Sequence, residues 1–410
     1  MKPVCLVVQM VYDLDVRVRR KAEALAGAGY SVDVLALRAP DGEKNYTLNG
    51  VSVRTVSLGK KRGSLARYSF EYVTFFLWVC FRVTLQMRRR RYAAIDVNTL
   101  PDFLIFAPFL AKWMGAKLIL DMHEITPEFY MSKYGIGANS WTIRILTYLE
   151  KISMKFADRV LTINKPIEDL LVSRGLARAK STIIMNSADE SRFGASLVRS
   201  AAPDLRDQAT FVMIYHGTLT AIYGLDIAVE AFALAHQEMP GAELWILGKG
   251  SEQRALMELV QARGLASKVR LVGQVPPSEI PTWLNQSDVG ILPIRGDVFL
   301  DFAFPNKLPE LISAGKAVIV SRLKAIQYYF SDDALAYFAP NDPADLGRAM
   351  IRVYRDPQLR ARLTLTAREE YQPIRWSVMK ERYLGLIGQI VGIQSKAARP
   401  QPPAQVAASK

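Results

Sequence analysis

The most informative run of this chain is Phe304-Pro305-Asn306-Lys307-Leu308-Pro309-Glu310-Leu311-Ile312-Ser313-Ala314-Gly315-Lys316-Ala317-Val318-Ile319-Val320. Its pattern predicts a loop, a short helix, a glycine stop and a buried strand. Lys307 and Glu310 are three residues apart and therefore share one face of the helix. A cation at a helix start favours phosphate, and a carboxylate beside it accepts hydrogen bonds from hydroxyl groups. The pair suits a nucleotide-sugar; a solvated lysine and glutamate on an ordinary helix is the alternative.

Around this run, short apolar segments alternate with amphipathic ones along most of the 410 residues. The alternation predicts parallel sheets that are covered by helices on both faces. Strands are predicted in the first half at Val4–Val8, Val32–Leu37, Val51–Val56, Ala94–Val97, Lys117–Leu120, Arg159–Ile163 and Thr182–Met185. After a polar stretch at 204–208 the pattern restarts, with strands at Phe211–Tyr215, Leu244–Leu247, Val269–Val272 and Val289–Leu292. We expect an α/β fold of two doubly wound halves, with the active site in the cleft between them.

The length of the chain exceeds what one core usually supports, which predicts two domains. The first domain is expected over residues 1–200 and the second over 205–375. Amphipathic periodicity predicts a helix at Trp376–Val391, within a C-terminal segment at 376–393. The composition of residues 394–410 predicts a disordered tail.

Cysteine and histidine are scarce. Cys5 and Cys80 provide neither a disulfide framework nor a zinc-ligand spacing. Three histidines argue against a His-rich metal site, and we expect no metal and no cofactor. The chain opens Met1-Lys2-Pro3 and enters an apolar strand without a small-residue cleavage site, which predicts a cytoplasmic protein.

The positive charge is concentrated in the first half of the chain. Residues 1–200 contain 30 Lys/Arg and 18 Asp/Glu, a net charge of +12. Residues 201–410 contain 23 Lys/Arg and 21 Asp/Glu, a net charge of +2, so the whole chain carries +14. The basic half is expected to face an anionic partner, such as a membrane surface, a phosphorylated lipid or a nucleic acid. Nucleic acid is the weakest of these, because no nucleic-acid module is recognisable and the aromatic residues cluster with apolar ones.

An aromatic segment lies within the basic half, in the region Tyr68–Arg91, and ends in four consecutive arginines, Arg88–Arg91. Its uncharged run, Tyr72–Phe81, is too short to span a bilayer. The segment is predicted to be a helix that binds an anionic membrane surface. One face of the helix can bind the membrane while another face packs in the core. The alternative is a core helix with a basic, solvated end.

Two glycine-containing loops follow predicted strands of the second half. Gly217 and Gly224 bracket the loop after Phe211–Tyr215, and the second glycine opens a helix. Glycines at such positions let the backbone approach a diphosphate. Lys249 lies between two glycines one βα unit later and could reach a phosphate. Tight turns are the alternative at both places.

Polar residues also follow two predicted strands of the first half. His123, in Asp121-Met122-His123-Glu124, comes directly after a strand, although a core histidine is the alternative. Asp13-Leu14-Asp15 follows the first strand and resembles a divalent-metal pattern, but Asp15 is better interpreted as a helix N-cap. Arg17 at this helix start could hold an anionic acceptor, with solvation of the helix as the alternative.

Taken together, these segments resemble the retaining GT-B glycosyltransferases of family four, which build bacterial surface polysaccharides. The resemblance rests on five segments in register: 15–32, 121–128, 185–189, 216–226 and 306–316. It implies two Rossmann-like domains that face each other across a cleft, with a C-terminal helix that crosses back to the first domain.

The resemblance also implies residue roles. Glu310 would bind the ribose hydroxyls, Gly217, Thr218 and Lys307 would hold the diphosphate, and His123 would contact the transferred sugar. The other expected donor-binding residues are Tyr223, Gly224, Lys249 and Asn306, and the expected acceptor-binding residues are Asp15, Arg17 and Glu124. Transfer would be metal-independent, with the leaving phosphate helping to deprotonate the acceptor, and domain closure would assemble the site.

The chain departs from the family pattern in two places. Phe302 stands where many members carry a first glutamate, with Asp301 adjacent, and Ile222 and Tyr223 stand where many carry arginine and lysine. Phosphate stabilisation is then expected from Lys249, Lys307 or Arg295. A catalytically weakened relative is the alternative.

The expected function is transfer of a hexosyl-type sugar from a UDP- or GDP-sugar to a lipid-linked or polysaccharide (oligosaccharide) acceptor at the inner membrane face. One alternative is a non-catalytic glycosyltransferase-like subunit that binds a membrane or a partner. Another is a sugar-nucleotide epimerase on the same fold, which would need no acceptor.

Overall fold

A computed structural model describes residues 2–58, 65–193 and 210–392, with side chains from residue 70 onward in the second range. It divides into two compact units: Met1–Met185 with the segment from Ser377, and Asn186–Trp376. The predicted tail at 394–410, the polar stretch at 204–208 and the side chain of Tyr68 lie outside the described residues.

Unit 1 contains eight described strands and seven helices. The strands are β1 (Pro3–Val11), β2 (Ser31–Leu37), β3 (Asn45–Leu48), β4 (Val51–Val56), β5 (Ala94–Asn98), β6 (Lys117–Met122), β7 (Arg159–Thr162) and β8 (Ser181–Ile183). The helices are α1 (Val16–Gly27), α2 (Leu65–Arg90), α3 (Phe109–Trp113), α4 (Thr126–Tyr134), α5 (Trp141–Phe156), α6 (Lys165–Ser173) and the C-terminal α15 (Trp376–Val391). These bounds confirm the strands predicted for this half and the helix predicted at 376–391.

The sheet of unit 1 has the strand order β3-β4-β2-β1-β5-β6-β7-β8. The order reverses between β1 and β5, so the loops after these two strands diverge and leave a crevice at their carboxyl ends. Parallel pairing sets Asn98, the last residue of β5, opposite Asp121 of β6. The register therefore places polar side chains at the reversal point.

The edge of this sheet differs from the parallel arrangement predicted for it. β3 and β4 pair antiparallel through a two-residue turn at Asn49-Gly50. Both turn residues have positive φ, 49° and 79°, which asparagine and glycine adopt at low cost in a hairpin. The short, half-exposed β3 has too few apolar residues to stand out in the sequence.

Unit 2 contains six strands and eight helices among its described residues. The strands are β9 (Phe211–His216), β10 (Ala242–Leu247), β11 (Val269–Gly273), β12 (Val289–Leu292), β13 (Ala317–Ser321) and β14 (Ala336–Phe338). The helices are α7 (Glu190–Phe193), α8 (Leu225–Ala235), α9 (Gln253–Ala262), α10 (Ile280–Asn285), α11 (Lys307–Ser313), α12 (Lys324–Tyr329), α13 (Pro343–Arg355) and α14 (Pro357–Tyr371). The loop, helix, glycine and strand predicted at 304–320 are confirmed as α11 and β13.

The sheet of unit 2 is parallel, in the order β11-β10-β9-β12-β13-β14. The order reverses between β9 and β12, so the loops after these strands form the crevice of this unit. Gly290 of β12 lets α11 pack closely, since a β-carbon there would collide with the side chain of Leu311. This close packing brings the polar face of α11 to the end of β9.

Helix α2 has apolar residues on two faces. Phe75, Val79 and Val83 are fully buried, as expected of a core helix. Four apolar side chains on another face are at least half exposed: Phe70, Val73, Leu77 and Phe81. The buried face agrees with the core-helix interpretation, and binding of the exposed face to a membrane stays a prediction. No helix among the described residues is long and apolar enough to span a bilayer.

Candidate functional site

The crevice of unit 2 is lined by the loop that follows β9. Gly217 has φ 128°, in the region that favours glycine, and a β-carbon there would collide with the side chain of Lys307. Gly224 opens α8 with φ 58°, and a β-carbon there would collide with the carbonyl oxygen of Pro293. Gly224 is therefore required by the close approach of the loops after β9 and β12, and Gly217 by its backbone conformation.

Lys307 lies under this loop with its charge near two aromatic rings. Its Nζ is 3.6 Å from the ring centroid of Tyr223 and 5.3 Å from that of Tyr215. Burial lowers the pKa of Lys307 to about 8, and the nearby Glu310 only partly offsets this effect. The structure thus brings together three residues that the sequence proposed separately: Gly217, Tyr223 and Lys307.

Glu310 lies one turn further along α11 and faces the end of β9. Its Oε2 is 3.6 Å from Nε2 of His216. His216 is 3% exposed, and its Nε2 has no hydrogen-bond partner among the described residues. Burial, reinforced by Lys307, lowers the pKa of His216 to about 3, so the imidazole is neutral at pH 7. A buried polar atom without a partner is a group that a ligand can satisfy.

The remaining predicted donor-binding residues surround this cluster at the surface. Thr218, Lys249 and Asn306 are exposed. The loops that carry the first two are joined, since the backbone N–H of Leu219 donates to the carbonyl of Lys249 at 3.0 Å. Their donor-binding roles, like those of Gly217, Tyr223, Gly224, Lys307 and Glu310, stay predictions.

Arg295 contacts the loop that contains Ile222 and Tyr223, the two positions where the sequence lacks the expected arginine and lysine. Its Nη2 is 2.5 Å from Oδ2 of Asp226, and its Nε donates to the carbonyl of Ala221 at 3.0 Å. Its backbone N–H donates to the carbonyl of Ile222. Arg295 therefore fixes the shape of the loop beside Tyr223, and the half-buried Lys307 is a cation within this crevice.

The crevice of unit 1 holds His123 directly after β6. Its Nε2 is 2.9 Å from Oδ2 of Asp121 and 3.0 Å from Oδ1 of Asn98. Its backbone N–H donates to Oγ1 of Thr99. Burial and the nearby Arg17 lower the pKa of His123, although Asp121 acts in the opposite direction. The imidazole is thus a neutral, firmly positioned group at the carboxyl end of the sheet.

A buried lysine lies beneath His123. Lys21 of α1 is 1% exposed, and its Nζ donates to Asp96 at 2.9 Å, to Asn98 at 2.8 Å and to Asp121. Tyr383 of α15 donates to the same Asp96 carboxylate at 2.7 Å. Burial alone would lower the pKa of Lys21, but Asp121 and Asp96 raise it, so it remains charged.

The three predicted acceptor-binding residues lie close together near His123. Asp15 accepts a hydrogen bond from the backbone N–H of Val18 at 3.0 Å, which confirms its interpretation as the N-cap of α1. Arg17 is largely buried, and burial lowers its pKa although Asp121, Asp15 and Glu124 act in the opposite direction. Its Nη1 has no hydrogen-bond partner among the described residues. Burial also raises the pKa of Glu124. A role of these residues toward an acceptor stays a prediction.

Glu128, which belongs to the same strand-end segment, has a structural partner. Its carboxylate pairs with Arg174, which also donates to Glu150 at 3.1 Å. The arrangement ties α4 to α5 and α6. No group of His, Cys, Asp or Glu in the described part of the chain has the geometry of a metal site.

Sequence reasoning missed three residues of these two crevices: Lys21, Tyr383 and the role of His216. Lys21 belongs to a basic run that resembles a solvated helix face, and Tyr383 lies some 290 residues from its partner Asp96. His216 directly precedes Gly217 in the segment 216–226, but no role was predicted for it. The signal for it was its position as the last residue of a buried strand.

Comparisons with known proteins agree with this arrangement. A family model described as "Glycosyl transferase 4-like domain" matches residues 14–187, and one described as "Glycosyl transferases group 1" matches residues 210–356. A phosphatidyl-myo-inositol mannosyltransferase of Mycolicibacterium smegmatis is 29% identical over 170 residues, which cover 41% of this chain and 42% of that protein. A glycogen synthase of Mycobacterium tuberculosis is 24% identical over 368 residues, which cover 86% of this chain and 84% of the relative.

A solved structure shares the fold over nearly the whole chain. The Anabaena protein HepE, in complex with UDP, superposes with a TM-score of 0.71 at 14% identity, covering 95% of this chain and 100% of HepE. The shared architecture is that of two parallel-sheet α/β domains.

Proposed function

Since the chain belongs to the GT4-like glycosyltransferases of the GT-B fold, we propose that it transfers a sugar from a nucleoside diphosphate donor bound in the crevice of unit 2. The observation that carries the proposal is the cluster of Lys307, Glu310 and His216 at the point where the sheet order reverses. The half-buried cation Lys307 suits the diphosphate, and the carboxylate of Glu310 suits the ribose hydroxyls. A UDP-sugar is the first donor to test, because HepE was solved in complex with UDP.

The proposed reaction retains the configuration of the sugar and needs no metal. The bond between the anomeric carbon and the β-phosphate oxygen breaks, and the acceptor oxygen bonds to the same face of that carbon. The acceptor proton passes to the phosphate oxygen that leaves. Lys307 stabilises the negative charge that develops on this phosphate, and His123 contacts the sugar as a neutral hydrogen-bonding group.

The proposed acceptor is lipid-linked, and the protein acts at the inner membrane face. The exposed apolar face of α2 and the arginines that end it support this assignment, because an aromatic helix with a basic end suits an anionic interface. The similar mannosyltransferase is named for a phosphorylated lipid. Arg90 also pairs with the buried Asp33 at 3.2 Å, so Arg88 and Arg89 are the arginines to test.

The transfer proposal is tested by nucleotide-sugar binding and turnover. Thermal shifts with UDP-, GDP-, ADP- and TDP-sugars are measured on the wild type and on Glu310→Gln. We expect the sugar donor of one nucleotide to stabilise the wild type selectively. This rise in melting temperature should disappear in Glu310→Gln. Glu238→Gln, at an exposed carboxylate before β10 at the opposite edge of the same sheet, is the matched control. No shift with any donor would favour the non-catalytic alternative, and release of an isomerised donor without an acceptor would favour an epimerase.

The membrane proposal is tested by sedimentation with vesicles that contain anionic phospholipid. Leu77→Ser with Phe81→Ser should reduce binding at any ionic strength. Arg88→Gln with Arg89→Gln should reduce it mainly at low salt, where charge attraction is strongest. Unchanged binding in both double variants would contradict the proposal.

A further inference from the structure

Unit 1 contains a cavity that none of the roles above uses. Its volume is about 260 Å³, and it lies between helices α2, α4 and α5 and the segment that follows β5. Most of the residues that line it are aromatic or aliphatic: Tyr72, Leu100, Pro101, Phe103, Phe129, Tyr130, Tyr134, Leu146 and Leu149. Apolar cavities of this kind bind apolar groups; one of about 150 Å³ is sufficient for benzene.

The cavity adjoins the crevice that holds His123. The lining segment that begins at Leu100 follows Thr99, which accepts a hydrogen bond from the backbone of His123. A second lining residue, Thr126, lies three residues after His123. A molecule in the cavity would therefore have one end near the polar groups of this crevice.

The polar lining residues distinguish the two ends of a ligand. Among the described residues that line the cavity, Lys133 carries the only positive charge, and it is exposed. Asp102 is buried and accepts a hydrogen bond from Oγ1 of Thr126 at 2.9 Å. Burial raises the pKa of Asp102 to about 7, and Glu124 adds to this effect. A neutral carboxyl at slightly acid pH does not oppose an apolar chain, while Lys133 suits an anionic head.

The walls continue into the exposed apolar surface of the same helices. Tyr72 of α2 lines the cavity, and its neighbour Val73 is exposed. Leu146 and Leu149 of α5 line the cavity, while Ile145 and Tyr148 of α5 are exposed. Apolar side chains of α2 and α5 thus lie both in the cavity and on the exposed surface of the same helices.

We propose that this cavity binds one hydrocarbon chain of a phosphate-bearing lipid, with its phosphate at Lys133, and so holds the acceptor of the reaction. The inference rests on the proposed function for its biological meaning. Its test requires no donor, however, so the two can fail separately.

The first test measures the binding of single-chain n-alkyl phosphates of four to twelve carbons, below their micelle concentrations, at pH 6.5. We expect affinity to rise about fourfold per methylene until the chain fills the cavity. Leu149→Trp, which fills the cavity, should lose at least tenfold in affinity for the decyl compound, while Leu365→Trp, at an exposed site of unit 2, should not. Affinity that does not depend on chain length in the wild type would overturn the proposal.

The second test examines the head group. Wild type should bind decyl phosphate at least fivefold more tightly than decanol, and Lys133→Gln should abolish this preference. Lys151→Gln, an exposed lysine of α5 that does not line the cavity, is the control with the same loss of charge. Inorganic phosphate alone should bind weakly to every variant. An unchanged preference in Lys133→Gln would overturn the assignment of the phosphate.

The third test uses only the wild type, in case Leu149→Trp does not fold. A decyl phosphate with a diazirine at the end of its chain is photolysed with the full-length protein, and the labelled peptides are identified by mass spectrometry. We expect labels on α4 and α5, around Phe129 and Leu149. Labels confined to the outer face of α2 would show surface adsorption and overturn the proposal. Nucleotide-sugar binding, measured on the same preparation, shows independently whether the transfer proposal holds.

Discussion

Nε2 of His216 lies 3.6 Å from Oε2 of Glu310, which joins the last residue of a buried strand to the carboxylate face of α11. The histidine is neutral because burial and Lys307 lower its pKa to about 3. The pair therefore combines a carboxylate with a neutral ring nitrogen that has no hydrogen-bond partner among the described residues, inside the proposed donor crevice.

Removal of this imidazole should weaken donor binding. We expect His216→Ala to reduce the affinity for the nucleotide-sugar about tenfold or more, because a buried polar group then no longer reaches the ligand or Glu310. His236→Ala, at the end of α8, is the control and should bind as the wild type does. Because His216 stays neutral between pH 5 and 7, His216→Ala should lower the affinity by the same factor at both pH values. Equal affinities in the two variants would contradict the assignment.

Lys307 should make donor binding depend on pH above neutrality. Burial lowers its pKa to about 8, so its charge is lost as the pH rises through this value, and the attraction for the diphosphate is lost with it. Affinity for the nucleotide-sugar should fall between pH 7 and pH 9. Lys307→Arg keeps the charge throughout and should flatten this profile, while Lys307→Gln should bind weakly at both pH values. The same slope in the arginine variant would show that another group titrates.

Lys21 should be required for the stability of unit 1. It is the buried cation between Asp96 and Asp121. Lys21→Met would leave both buried carboxylates without the positive charge of the lysine. We expect a loss of about 3–5 kcal/mol in the free energy of unfolding, measured by denaturant titration. Asp96→Asn should recover part of this loss when it is combined with Lys21→Met. Lys117→Met, at an exposed site, should change stability by less than about 0.5 kcal/mol. A similar small change for Lys21→Met would contradict the prediction.

Asp102 should make the protein less stable at higher pH. Its pKa is about 7 in the folded state, against about 3.9 in an unfolded chain. The folded state therefore binds more protons than the unfolded state between these values, and the free energy of unfolding falls as the pH rises from about 4 to 7. Asp102→Asn keeps the acceptor for Thr126 and avoids ionisation. It should gain up to about 4 kcal/mol over the wild type at pH 8 and little at pH 4.

Denaturant titrations at the two pH values test this prediction. Asp169→Asn, at an exposed carboxylate paired with Lys165 and Arg178, is the control and should not be more stable than the wild type at pH 8. A gain for Asp102→Asn that is the same at pH 4 and pH 8 would mean that ionisation is not its cause.

Most of the regular structure could be predicted because buried parallel strands are continuous apolar runs and amphipathic helices repeat with a period of 3.6. The helix predicted at 376–391 agrees with α15. The short edge strands β3 and β14 were missed, since three or four residues carry too little pattern. The pairing of Lys307 with Glu310 could be anticipated because helical spacing is local.

The sequence by itself determined the alternation of strands and helices, the two-domain architecture and the residues at strand ends, because each depends on local periodicity and on glycine positions. Only the tertiary structure decided which of those residues meet. Lys21 looks like one more cation on a basic helix, until the pairing of β5 with β6 sets Asp96 and Asp121 around it. The cavity beside Asp102 likewise arises where α2 lies near α4 and α5, which belong to a later part of the chain, and its volume depends on how these helices pack.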